Sequence, residues 1–176
     1  MTAIGNYDAE ANLCENAGAY LASCIMMSAR IEGLLLICVS TFPEEAERAL
    51  RRLQETKQIG KGLRLNSALG WDLGRLLKVA EEAQWLPSQL TRFFPLPPLA
   101  ADTSNPLFAD RIRELRNLVH PGRLVRERNG RTITREELYL LHDTCLAVSL
   151  HLVQKLAPEM FDPEMRSFRI DFGTSE

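Results

Sequence analysis

Tyr20–Val39 reads YLASCIMMSARIEGLLLICV, and its apolar residues fall on almost every side of a helix. A helix with so little polar surface belongs in the middle of a bundle or in a subunit interface. Its charged residues, Arg30 and Glu32, are two positions apart, so they do not face each other and read as flank residues. They also lie near the middle of Ala17–Val39, the most membrane-like stretch of the chain. Charge at that depth is costly in a bilayer, so the sequence predicts a buried helix of a soluble protein rather than a membrane span. Met26 and Met27 read as adaptable core filler.

Outward from this stretch the pattern stays helical. Residues 1–5 read as a loose terminus, and helix is expected from about Asn6–Ala9 to Thr41, with Gly18 and Gly33 as weak points. A second helix opens at Pro43 with Glu44 and Glu45 in its first turn, where carboxylates suit the dipole. Ala46, Ala49, Leu50 and Leu53 form its apolar stripe, and it ends before Ile59-Gly60. Lys61 between Gly60 and Gly62 lacks the spacing of a phosphate loop and reads as a turn.

A third helix is expected from Ser67 or Gly70 to Trp85, with Leu69, Leu73, Leu76, Leu77 and Ala80 on one face. Pro87 ends it. Pro95, Pro97 and Pro98 then make a stiff connector whose Phe93, Phe94 and Leu96 strap the core. Asn105-Pro106 opens a fourth helix. Asn129-Gly130 lies between Leu124–Arg128 and Arg131–Thr134 and predicts a small β-hairpin over residues 124–133. Thr134 and Glu137 form a capping box for a long last helix, with Leu138, Leu141, Cys145, Val148, Leu152 and Leu156 inward and Pro158 as its stop. The expected architecture is all-α: one domain over residues 1–176, an up-and-down bundle of about five helices with one hairpin, and residues 158–176 as a tail that folds back through Phe161, Phe168 and Phe172.

Composition sets limits on function. The chain has 176 residues, 45% of them hydrophobic and 25% charged, and a net charge of −2, which is an ordinary globular balance and not that of a wholly basic nucleic-acid coat. The charge is uneven. Residues 111–135 hold eight arginines against Glu114 and Glu127, a local +6 that suggests an anionic partner at that end. Cys14, Cys24, Cys38 and Cys145 form no CxxC pair and read as free thiols of a reducing compartment. The start MTAIGNYDAE lacks a basic lead and an apolar run, so the expected location is cytoplasmic.

The chemistry concentrates in Arg111–Gly122, RIRELRNLVHPG. At 100° per residue, Ile112, Leu115 and Val119 fall within about 40° of Phe108 and form a core face. Arg116, His120 and Arg113 follow at about 80°, 120° and 140°, with Asn117 at about 180°. The plainer account is a solvated basic face with a histidine at a helix C-terminus. The chemical account starts from arginines, which bind phosphate bidentately, and an imidazole, which changes protonation near neutral pH. Together they are what metal-free RNA cleavage needs. Zinc is disfavoured: His142 and Cys145 stand one turn apart with no further ligand at a recognisable spacing, and His142 falls near its helix's apolar stripe. His151 reads as plain surface. No nucleophile elbow or carboxylate pair stands out.

Over roughly residues 6–157 the chain resembles the HEPN superfamily of α-helical domains, whose mark is an arginine, often followed by Asn or another polar residue, and a histidine after four to six positions. Six residues lie between Arg113 and His120, and the Arg116-Asn117 dipeptide has the polar form with three residues between its arginine and His120, so either arginine can be the family one. The early apolar helix, the motif helix and the long closing helix follow the same layout. The resemblance implies a homodimer whose motif helices face one another across an RNA-cleaving cleft, with no metal or other cofactor. Relatives act as toxins or in antiviral defence, some under an antitoxin partner, and many others are inactive. The expectation is thus a metal-independent endoribonuclease with Arg113, Arg116, Asn117 and His120 at the reaction and Arg111, Arg123 and Arg126 binding RNA. The alternative is a non-catalytic dimerisation or RNA-binding module, in which Arg116 and His120 bridge to acids such as Glu81 or Asp143.

Overall fold

A computed structural model describes residues 2–86 and 134–161 of the chain. The described part is helical and contains no strand: α1 (Thr2–Asn16), α2 (Tyr20–Thr41), α3 (Pro43–Glu55), a 3-10 turn (Leu65–Gly70), α4 (Leu73–Glu82) and α5 (Arg135–Phe161). The all-α expectation therefore holds for these residues. The expected hairpin at 124–133, the Phe93–Leu96 strap, the helix opening at Asn105-Pro106 and the tail from residue 162 lie outside them.

α2 is the central element, packed against α1, α3, α4, the 3-10 turn and α5. Ile31, Leu35 and Cys38 are wholly buried, with Cys24, Met27, Leu34 and Val39 close behind. By length and composition α2 could cross a membrane, with mean hydropathy 1.8 over its most apolar 18 residues, yet half of that window is buried inside this fold. Arg30 does have a partner, and it is not Glu32: its guanidinium pairs with Asp8 of α1. Glu32 is too close along the helix to reach it.

The chain breaks where sterics allow. Helix begins at Thr2 rather than near Asn6, and it stops at Asn16. Gly18 takes φ +71°, which costs glycine nothing, and its N–H and that of Ala19 close onto Glu15 and Cys14. Gly33 interrupts nothing and stays inside α2. α3 and α4 end the same way but with side-chain-bearing residues: Lys57 (φ 58°) and Gln84 (φ 59°) occupy the left-handed position. In each case the next N–H reaches back five residues, Gln58 to Leu53 and Trp85 to Ala80. The second of these reversals turns Trp85 back onto the bundle, where it is buried.

Two expectations need correcting. The third helix starts later than Ser67 or Gly70: Asp72 caps α4 by accepting from the Arg75 N–H at 2.9 Å, and the residues before it form the 3-10 turn. Leu69 therefore leaves the apolar stripe and is 74% exposed, while Leu73, Leu76, Leu77 and Ala80 are buried as expected. Pro158 does not stop the last helix, which continues to Phe161. Pro158 is exposed, and proline removes one backbone N–H there without ending the helix.

Contacts along the helices set their directions. α1 runs antiparallel to α2, since Asp8 meets Arg30. α3 and α4 are antiparallel, with Glu45 beside Trp85 and Arg52 beside Glu82. α5 runs parallel to α2: the field of Tyr20 acts on Arg135, that of Arg30 on Cys145, and Lys155 lies against Phe42. α4 accordingly ends at the Phe42–Lys155 end of the bundle, whereas α5 begins about 30 Å away, the rise of the helix from Arg135 to Lys155.

Candidate functional site

Arg111, Arg113, Arg116, Asn117, His120, Arg123 and Arg126 all lie outside the described residues. What the structure supplies is their setting. Residues 87–133 are flanked by Leu86 at the Lys155 end of α5 and by Thr134 at its start. At that start the Leu138 N–H bonds to the Thr134 carbonyl at 3.0 Å, which places Thr134 at the helix cap. Arg135 follows; its Nε donates to the Tyr139 hydroxyl at 2.7 Å and the guanidinium carbon lies 5.3 Å from that ring's centre. The bond to Tyr139 raises the Arg135 pKa further above its already high value.

At the opposite end Glu45 is the hub of a polar cluster. It accepts the Trp85 indole N–H at 2.6 Å, and the Lys155 ammonium lies 3.0 Å from the same oxygen. Lys155 also sits 4.1 Å from the centre of the Phe42 ring, and Phe42 and Trp85 pack with centroids 6.2 Å apart. Burial alone would push the Glu45 carboxyl up, but the hydrogen bonds from Trp85 and Lys155 outweigh it and hold the group below its ordinary 4.5. Every charge here has a partner, so the cluster reads as a joint fastening α2, α3, α4 and α5. An open groove of about 240 Å³ beside it is lined by Glu45, Arg48, Arg52 and Glu82, with the last two 3.4 Å apart.

The thiols are poor metal ligands. Cys24, Cys38 and Cys145 are buried and Cys14 half-buried. Burial pushes Cys38 and Cys145 up to about 12, away from the thiolate that a metal needs. Among the described residues no group of three or more His, Cys, Asp and Glu is placed to hold an ion. His142, one turn from Cys145, and His151 are both half-buried.

Sequence reasoning missed two constellations. Glu45 was assigned only to a helix first turn, although Trp85 and Lys155 meet it from 40 and 110 residues away; no local pattern encodes such a meeting. The second is a groove of about 300 Å³ lined by Gln58, Gly60, Asp72, Gly74, Arg75 and Lys78, where Lys78 donates to the Gln58 carbonyl at 2.9 Å. Its cations, Arg75 and Lys78, stand three residues apart on α4, and no local pattern joins them to the Gln58–Gly60 wall. No protein-family model matches the chain, and no curated protein or solved structure is significantly similar to it.

Proposed function

We propose that the chain is a single HEPN-like helical domain over residues 1–176 that acts as a metal-independent endoribonuclease, working as a homodimer in the cytoplasm and not in a membrane. The observation that carries this reading is Arg113 and Arg116-Asn117 ahead of His120 within a run of net charge +6. The described helices support it by their directions. The described chain stops at Leu86, near the Lys155 end of α5, and resumes at Thr134 at its start, so these two points lie at opposite ends of the bundle, as an up-and-down bundle with one more helix between them requires. The 124–133 hairpin then turns the chain into α5, and a toxin or defence role, under an antitoxin partner, is the setting such a nuclease fits.

In this reading His120 takes the proton from a ribose 2′-hydroxyl, and the 2′-oxygen attacks the adjacent phosphorus. The bond to the 5′-oxygen breaks, leaving a 2′,3′-cyclic phosphate and a 5′-hydroxyl that receives a proton. Arg113 and Arg116 stabilise the charge gathered on the phosphoryl oxygens, Asn117 orients the site, and Arg111, Arg123 and Arg126 hold the flanking strand.

The test is cleavage of a broad RNA panel by purified protein beside His120→Ala, with EDTA present. Cleavage by the parent alone is the expected result. Equal activity in both, or none in either, overturns catalysis and leaves the non-catalytic binding module.

A further inference from the structure

The cations among the described residues are concentrated between α3 and the middle of α4. Residues 56–80 hold Lys57, Lys61, Arg64, Arg75 and Lys78 against Asp72 alone, a local +4 in a chain of net −2. Lys57, Lys61, Arg64 and Arg75 are exposed and Lys78 is half-buried, so the charge faces outward. Arg75 and Lys78 line an open groove together with Gln58, Ile59, Gly60, Asp72 and Gly74, and Lys57 and Lys61 flank its Gln58–Gly60 wall along the chain. A side chain at Gly60 or Gly62 would meet nothing within 4 Å, so a ligand can approach the backbone there. Lys78 is steadied across the groove by its bond to Gln58. The acids facing this surface are Asp72, whose carboxylate lies 3.7 Å from Arg75 and already caps α4, and Glu55 at the end of α3. The helix terminus is thus satisfied, and the attraction for anions comes from the side chains.

We propose that this groove is a second RNA-binding surface, taking the phosphodiester backbone of a strand whose cleavage occurs at the arginine–histidine motif. The choice of RNA among polyanions rests on the ribonuclease reading. A lipid surface fits less well: Leu69 is the one large apolar side chain well exposed beside these cations among the described residues, and stable interfacial binding needs more buried apolar area than one leucine supplies. Two cations in the groove, with exposed Lys57 and Lys61 on the chain that flanks it, instead match the spaced phosphates of a strand.

The experiment is fluorescence anisotropy of a labelled single-stranded RNA dodecamer on the full chain carrying His120→Ala, which prevents cleavage. Into it go Lys57→Gln/Lys61→Gln, the same pair with Lys78→Gln, and separately Arg113→Ala/Arg116→Ala; circular dichroism checks each fold. The double variant removes only exposed charge and keeps the Lys78–Gln58 bond. We expect affinity near 0.1 M salt to fall ~10-fold in the triple variant and the salt slope to drop by ~2, since each single-strand phosphate contact contributes ~0.7. The double variant should give about two thirds of that slope change. Unchanged binding in both groove variants with weakening in the motif variant overturns the groove and spares the ribonuclease reading. The reverse pattern sustains the groove and counts against the motif, and no RNA binding by the parent overturns both. If the groove variants lose binding to phosphatidylserine vesicles but keep RNA, the surface is a lipid site and the proposal fails.

Discussion

Trp85 and Glu45 are joined by an indole N–H to carboxylate bond of 2.6 Å across 40 residues of chain. Trp85 is 1% exposed, so the bond orients a large buried ring. It exists because α4 ends with Gln84 in a left-handed conformation that sends the next residue back onto the bundle. The carboxylate in turn receives Lys155, whose ammonium covers Phe42 at the end of α2. A local helix stop thereby becomes a junction of four helices, and it lies where the described chain leaves at Leu86.

Removing the bond while keeping most of the ring tests how much it contributes. Trp85→Phe loses a charge-assisted hydrogen bond and leaves a small void, and should cost about 2 kcal/mol in urea denaturation. Glu45→Gln keeps an acceptor but loses the attraction to Lys155, and should cost about 1 kcal/mol because the pair is partly exposed. Since both changes act on one junction, the double variant should be less destabilised than the two single effects added together. Full additivity would show that the residues act independently.

The same carboxylate sets a pH dependence. Its folded pKa is held below the ordinary 4.5, so the native state binds this proton less readily than the unfolded chain. Stability from this source is complete above 4.5 and is lost as pH falls through the depressed folded value. Wild type and Glu45→Gln should therefore differ in stability at pH 7 and converge as the solution is acidified below pH 4.5. A difference that stays constant down to pH 3 would remove Glu45 from the acid limb.

How far the sequence could be read followed the range of the interactions. The stripes Ala46-Ala49-Leu50-Leu53 and Leu73-Leu76-Leu77-Ala80 were legible because helical period is local, and so were the breaks at Pro43 and Gly18. Leu69 was misplaced because apolar spacing alone cannot tell a 3-10 turn from the start of an α-helix; Asp72 as the cap decided it. Pro158 was overrated as a stop because only one hydrogen bond is lost in a final turn. Arg30–Asp8 and Glu45–Trp85–Lys155 were invisible, since each depends on helices packing face to face. The candidate site was legible only as residue types, Arg113, Arg116, Asn117 and His120, in a segment outside the described residues.

Thiol reactivity should separate the cysteines cleanly. Cys38 and Cys145 are buried and pushed up to about 12, and Cys24 is 1% exposed, whereas Cys14 is half-buried near the end of α1. At pH 8 iodoacetamide should modify Cys14 readily and the other three only after denaturation, as read by intact mass. Rapid modification of Cys38 or Cys145 in the native protein would mean that the α2–α5 contact opens.

The parallel course of α2 and α5 makes a distance prediction that also bears on where the motif segment runs. Ser40, Glu136 and Gln154 are exposed, and α5 rises about 30 Å from one end to the other. Spin labels on Cys variants of these positions, in a Cys14→Ser background, should give a Ser40–Gln154 separation within about 20 Å and a Ser40–Glu136 separation of about 30 Å. Double electron–electron resonance reads both. The reverse order would make the helices antiparallel and bring Thr134 to the end where Leu86 leaves. With Leu86 and Thr134 at the same end of the bundle, the directions of the described helices would no longer support the proposed reading.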